Sequence, residues 1–154
     1  MRTVRSLLLA LALGLSAAPL SAQTYGSLGL GAAVPTGDFG DLYDTGYTIR
    51  GQAGLSLVLA DVHLQTGVSR FSGQEIAAGE STDDIAVYHA GAGARLGLGL
   101  IWVGANAAYF FGDGDDGLGF FPEVGVGIGP IEVVADYRID GDFRWLALRG
   151  GWRF

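Results

Sequence analysis

"IEVVADYRIDGDFRWLALRGGWRF", residues 131–154, alternates apolar and polar or small side chains almost without a break up to Phe154. Such alternation marks strands with two unlike faces, because successive side chains leave a pleated backbone on opposite sides. In the first half Ile131, Val133, Ala135, Tyr137 and Ile139 share one face, and Glu132, Asp136 and Arg138 share the other. In the second half Leu146, Leu148, Gly150, Trp152 and Phe154 oppose Arg149, Gly151 and Arg153. Between them Asp140-Gly141 is a strong two-residue hairpin signal. With those two residues as the turn, Glu132 faces Arg149.

The same two-faced pattern recurs through the chain. Eight segments carry it: residues 24–34, 47–59, 62–71, 85–97, 101–111, 118–129, 131–139 and 143–154. The count is even, and most lengths are close to the 9–11 residues a tilted strand needs to cross a membrane. Connectors alternate in character. Ala60-Asp61, Leu98-Gly99 and Gly129-Pro130 are short. "PTGDFGDLYDTG", "SGQEIAAGESTDD" and "GDGDDG" are long, and the last hairpin turn joins that set. Twelve of the sixteen acidic residues lie in this second set of connectors, counting Asp142 beside the last turn, so charge is swept to one rim. Short turns at one end and long loops at the other describe an antiparallel up-and-down barrel of the outer-membrane kind.

Composition narrows the class. There is no Cys and no Lys, and 27 of 154 residues are Gly. Soluble surfaces ordinarily carry Lys in quantity. The start, "MRTVRSLLLALALGLSAAPLSAQ", has two Arg, a short apolar run and small residues ending at Ala22. That is the layout of a secretory signal peptide, with a cleaved leader 1–22 and a barrel domain 23–154. Its apolar run is too short to span a bilayer as a helix. The remainder keeps seven Arg against sixteen acids, a formal charge of −9, which argues against nucleic-acid binding.

An eight-strand barrel can turn its apolar face inward, as a lipocalin does, or outward to lipid. Three features favour outward. The polar face mixes Gly with charges of both signs, among them Arg50, Glu123, Glu132, Asp136 and Arg149, which suits a narrow lumen. It lacks Lys. Tyr47, Tyr109, Phe111, Phe120, Tyr137, Trp152 and Phe154 sit near segment ends, where an interfacial aromatic girdle belongs. The expected lumen cluster is Glu123, Glu132, Asp136, Arg138 and Arg149, with Arg50 as an addition. Glu123 lies beside Asp136 or Arg138, according to register. The cluster reads as an internal staple, since side chains just fill an eight-strand interior.

Catalytic and metal signatures are weak. A lipid A deacylase of this architecture uses a His and a Ser two residues apart. His63 is followed by Leu64 and Gln65, His89 by Ala90 and Gly91, and both point to the lumen by parity. "GDGDDG", residues 112–117, resembles the start of a calcium loop, but counting from Asp113 the bidentate Glu of its twelfth position is replaced by Val124. "GVGIGP" lies in a strand with no helix after it, so it is no nucleotide cradle. No cofactor is expected.

Two stretches carry a family resemblance. "GLGAAVPTGDFGDLYDTGYTIRGQAG", residues 29–54, is similar to the opening of the small outer-membrane β-barrel domain family, the OmpA-, OmpX- and OmpW-like barrels. Trp152 and the terminal Phe154 resemble the carboxy-terminal signal read by the outer-membrane insertion machinery. The resemblance implies an all-β, eight-stranded transmembrane barrel in a Gram-negative outer membrane. The expected role is structural or interactive, with acidic extracellular loops and a plugged polar lumen. Expected partners are outer-membrane lipid and lipopolysaccharide and the insertion machinery, with the chain a monomer. A lipid A-modifying enzyme and a soluble small-ligand barrel are the alternatives.

Overall fold

The structure, a computed structural model, describes residues 23–77, 80–113 and 116–154; the expected leader lies outside them. Alternating segments become eight long strands: β1 (Gln23–Pro35), β2 (Gly46–Ser56), β3 (Ala60–Phe71), β4 (Ile85–Leu98), β5 (Ile101–Gly112), β6 (Gly117–Ile128), β7 (Ile131–Asp140) and β8 (Phe143–Arg153). Each pairs antiparallel with its chain neighbours, and β1 also pairs with β8, so the sheet closes on itself. The seam runs from Ser27 opposite Arg153 to Pro35 opposite Trp145. Beyond it, the backbones of Gly26 and Phe154 exchange hydrogen bonds of 2.8 and 2.9 Å. Closure leaves no strand edge, which is how a barrel without disulfides satisfies its backbone.

Three turns need correction. After β2 the chain reverses at residues 57–59, not at Ala60-Asp61, with Leu57 N–H donating to the Ala60 carbonyl at 2.7 Å. Leu57 and Leu59, at the end of the alternating segment 47–59, therefore lie in the turn and not in the strand. No Gly or Pro marks this turn, and the leucines prolong the alternation through it. After β4 the turn is Gly99-Leu100, with Gly99 at φ +85°. The last hairpin turns at Gly141-Asp142, with Phe143 facing Asp140. Gly141, at φ +55°, takes the first central position, where a Gly-first hairpin turn needs a positive φ. This moves the register by two residues: Glu132 faces Gly151, and Arg149 faces Val134. A shift of two keeps every side chain on its face.

The faces are unambiguous. Leu30, Leu64, Leu118, Ile128 and Leu148 point out, with Leu118 82 % and Leu148 56 % exposed. Arg50, Arg95, Glu123, Glu132, Asp136, Arg138 and Arg149 are buried inside. This is the reverse of a lipocalin. All seven aromatics of the expected girdle lie on the outer face, including Trp152 and Phe154.

The interior is not polar or small throughout. Toward the long loops it holds Phe71, Phe110, Phe121 and Trp145, all with no exposure. A 3-10 helix, Gly37–Asp41, lies in the β1–β2 loop, and its buried Phe39 completes this cluster. The Phe39 ring lies 5.0 Å from Phe71 and 5.0 Å from Phe143, both edge-on. In the β3–β4 loop, Glu75–Ala77 and Glu80–Ser81 form a short ribbon outside the barrel.

Candidate functional site

The densest chemistry lies midway down the barrel. On β6 and β7, Glu123 and Asp136 stand directly opposite each other, both pointing in. Like charges so placed repel. Arginines on four other positions resolve the conflict. Arg50 Nη2 donates to Glu123 Oε2 at 2.7 Å, and Arg95 Nε donates to Oε1 at 2.9 Å. Arg138 Nε donates to Asp136 Oδ1 at 2.9 Å, and Arg149 forms an ion pair with Asp136. Each carboxylate is thus held between two guanidiniums.

Around these pairs the remaining donors are spread over neutral acceptors. Arg138, with no exposure, also reaches Ser69 Oγ and His89 Nδ1, both at 3.3 Å. Its guanidinium lies 5.2 Å from the Phe121 ring centre and 5.5 Å from that of Trp145, joining the ionic level to the aromatic one. Arg95 extends toward the short turns: Nη1 donates to Glu132 at 3.3 Å and Nη2 to Gln52 at 2.6 Å, while its guanidinium sits 3.9 Å from the Trp102 ring. Gln52, Gln65 and Asn106 continue the hydrogen bonding across β2, β3 and β5.

Every expected cluster residue is placed inside: Arg50, Glu123, Glu132, Asp136, Arg138 and Arg149. The pairing differs from the sequence expectation, because Arg149 meets Asp136 and Glu132 meets Arg95. Glu123 takes the Asp136 register. Arg95 is the member that sequence reasoning missed. The signal was there: Arg95 is six residues from inward-facing His89 on one strand, so parity turns it inward too.

Both histidines are buried. His63 Nε2 is 2.8 Å from Asn106 Oδ1, and His89 contacts Arg138. Neither faces the outer surface. The acidic rim is partly tied into loop structure: Asp84 accepts from Gly73 N–H at 3.2 Å and pairs with Arg70 at 3.5 Å. Asp113 accepts from Ala86 N–H at 2.8 Å; residues 114 and 115 of "GDGDDG" lie outside the described part. Among the described residues, no group of three or more His, Asp or Glu is placed to hold a metal ion.

At the short-turn end, Arg153 Nη1 donates to Asp61 Oδ2 at 2.7 Å and its guanidinium stacks 3.9 Å from the Tyr25 ring. Arg153 and Asp61 rim a polar mouth of about 190 Å³ that Arg95 and Trp102 also line.

With this geometry, the fold can be set beside solved structures. It is similar to that of Ail, the attachment invasion locus protein of Yersinia pestis. That likeness has a TM-score of 0.52 and 15% identity over 88% of this chain and all of that one. It is equally similar to Neisserial surface protein A, with a TM-score of 0.52 and 20% identity over 87% of this chain and 98% of that one. No protein-family model matches the chain, and no characterised protein matches it by sequence. At these identities the likeness is one of fold. It is the fold of the small outer-membrane barrels, an eight-strand closed cylinder spanning nearly the whole of each chain.

Proposed function

We propose that this chain is an outer-membrane β-barrel of a Gram-negative envelope, with a structural or interaction role. The observation that carries this reading is the outer surface. Leucine, isoleucine, valine and aromatic side chains cover the wall on every strand, while seven charged side chains are buried within. Water would penalise such a surface, and hydrocarbon favours it. The likeness in fold to Ail and to Neisserial surface protein A supports the same reading.

On this reading a leader at residues 1–22 directs export, and Trp152 and Phe154 at the end of β8 are read by the insertion machinery. The short turns face the periplasm. The acidic loops face outward, where bridging divalent cations would join them to lipopolysaccharide phosphates. The aromatic cluster under Phe39 and the ion pairs below it occlude the lumen, so the barrel conducts little or nothing. His63 and His89 stand inside the wall, away from any lipid substrate, which supports a non-catalytic role.

Membrane fractionation followed by a heat-dependent shift in gel mobility tests the proposal. Recovery in the outer-membrane fraction with a folded band that migrates differently before boiling is the expected result. Recovery in the soluble periplasm would overturn it. Mass spectra of lipid A from cells with and without the gene should be identical; a change in acylation would replace this reading with an enzymatic one.

A further inference from the structure

The charges inside the described barrel do not balance. Four guanidiniums are buried there, those of Arg50, Arg95, Arg138 and Arg149, against three carboxylates, Glu123, Glu132 and Asp136. The pair at the mouth, Arg153 with Asp61, cancels itself. Arginine stays charged in proteins, so protonating a carboxylate would only widen the imbalance. A surplus unit charge away from water is costly unless something neutralises it.

The surplus can be located. Glu123 is shared by Arg50 and Arg95, Arg95 reaches on to Glu132, and Arg138 spreads over Asp136, Ser69 and His89. Arg149, 2 % exposed, shares Asp136 with Arg138, and its Nη1 has no hydrogen-bond partner. On the two neighbouring strands the residues directly opposite it carry no charge. Val134 lies directly across from it on β7, and Gly31 lies directly across on β1. Gly29, the next inward position of β1, faces Arg50 on β2. A methyl group placed on Gly29 would sit 3.7 Å from Arg149 Cδ, in ordinary contact, whereas one on Gly31 would overlap the β8 backbone at Leu148; Gly29 therefore leaves side-chain-free space beside the Arg149 stem.

We propose that the barrel interior holds one small monovalent inorganic anion, chloride in a cell, bound by Arg149 Nη1 on the side left open by Gly29. A charge-assisted hydrogen bond would satisfy the orphaned donor, and the ion's charge would cancel the surplus guanidinium. A water molecule could do the first but not the second. The proposal depends on which side chains face the barrel axis and not on which membrane holds the barrel.

The test uses the full folded chain in uncharged detergent. Sodium chloride or bromide is exchanged against sodium gluconate, an anion too bulky for the interior, at constant ionic strength. The unfolding temperature should rise saturably by about 4 °C or more with halide, as it does when a ligand binds only the native state. Val134→Asp supplies the missing carboxylate opposite Arg149 at nearly the same volume, and its halide increment should vanish. Gly29→Ala narrows that space within ordinary contact distances, and its increment should fall by at least half. Crystals soaked in bromide should show an anomalous peak within hydrogen-bonding reach of Arg149 Nη1. A flat response in the native chain, an undiminished increment in either variant that folds, or ordered water alone at that position would overturn the proposal.

Discussion

Toward the long loops the barrel interior is a cluster of aromatic rings; one or two inward positions further along the same strands it becomes a lattice of ion pairs. β8 passes from Trp145 through Ala147 to Arg149, β6 from Phe121 to Glu123, and β3 from Phe71 to Ser69. Both levels are buried to the same degree, yet they are held by different physics. The rings gain by contact and tolerate any apolar group of about the right shape. The ion pairs have exchanged water for one another, so each member is needed by a named partner. Geometric tolerance at one level therefore coexists with strict chemical demand at the next.

Substitutions can break that contrast, and the largest effect belongs to the ionic level. Glu123→Gln changes almost no volume but strips the shared charge from Arg50 and Arg95. We expect a loss of about 3–5 kcal/mol, because two buried guanidiniums lose a common partner. Urea unfolding in detergent, followed by the heat-dependent gel shift, would read it. A loss below 1 kcal/mol would mean that water reaches this level freely.

On the outer wall, Leu148→Arg should cost about 2–4 kcal/mol in lipid vesicles, since the charge would enter hydrocarbon near the middle of β8. The same substitution in a water-facing wall would be close to neutral. Comparing unfolding in vesicles with unfolding in short-chain detergent separates the two.

In the aromatic level, Phe39→Leu should cost less than about 1.5 kcal/mol, because the rings of Phe71, Phe143 and Trp145 can close on a similar volume. Set beside Glu123→Gln, this is the sharpest form of the contrast. Equal losses for the two variants would erase it. The smallest effect belongs to the rim. Arg70 and Asp84 are both about half exposed, and Asp84→Asn should change stability by no more than about 1 kcal/mol in a thermal melt.

Much of this was legible in the sequence, for a physical reason. A strand's side chains alternate with a period of two, so parity alone assigns Leu148 to the outside and Arg149 to the inside. A register error of two residues leaves that assignment intact. This is why the wall and the inward charges could be read even though the Gly141-Asp142 turn was placed one residue early. Partners were less legible for the same reason. Which carboxylate meets Arg149 depends on register and on reach across the barrel, and neither is written in alternation.

The aromatic level was harder to see. Phe121 has inward parity, but Phe39 comes from a loop whose short helix has no periodic signal, and the rings meet only once the barrel is closed. The outward Phe111 is chemically the same as its inward neighbour Phe110. Only the parity of each strand separates them.

The central claim is that the greasy face is the outer one and that it meets lipid. The chain has no Cys, so a single one can be introduced at Leu148, Val126 or Leu64 and labelled with an environment-sensitive fluorophore after insertion into vesicles. Quenching by lipids carrying nitroxides on their acyl chains, with no response to aqueous iodide, is the predicted result at all three positions. Strong iodide quenching with indifferent lipid nitroxides would contradict it, and the proposed membrane setting would fall with it.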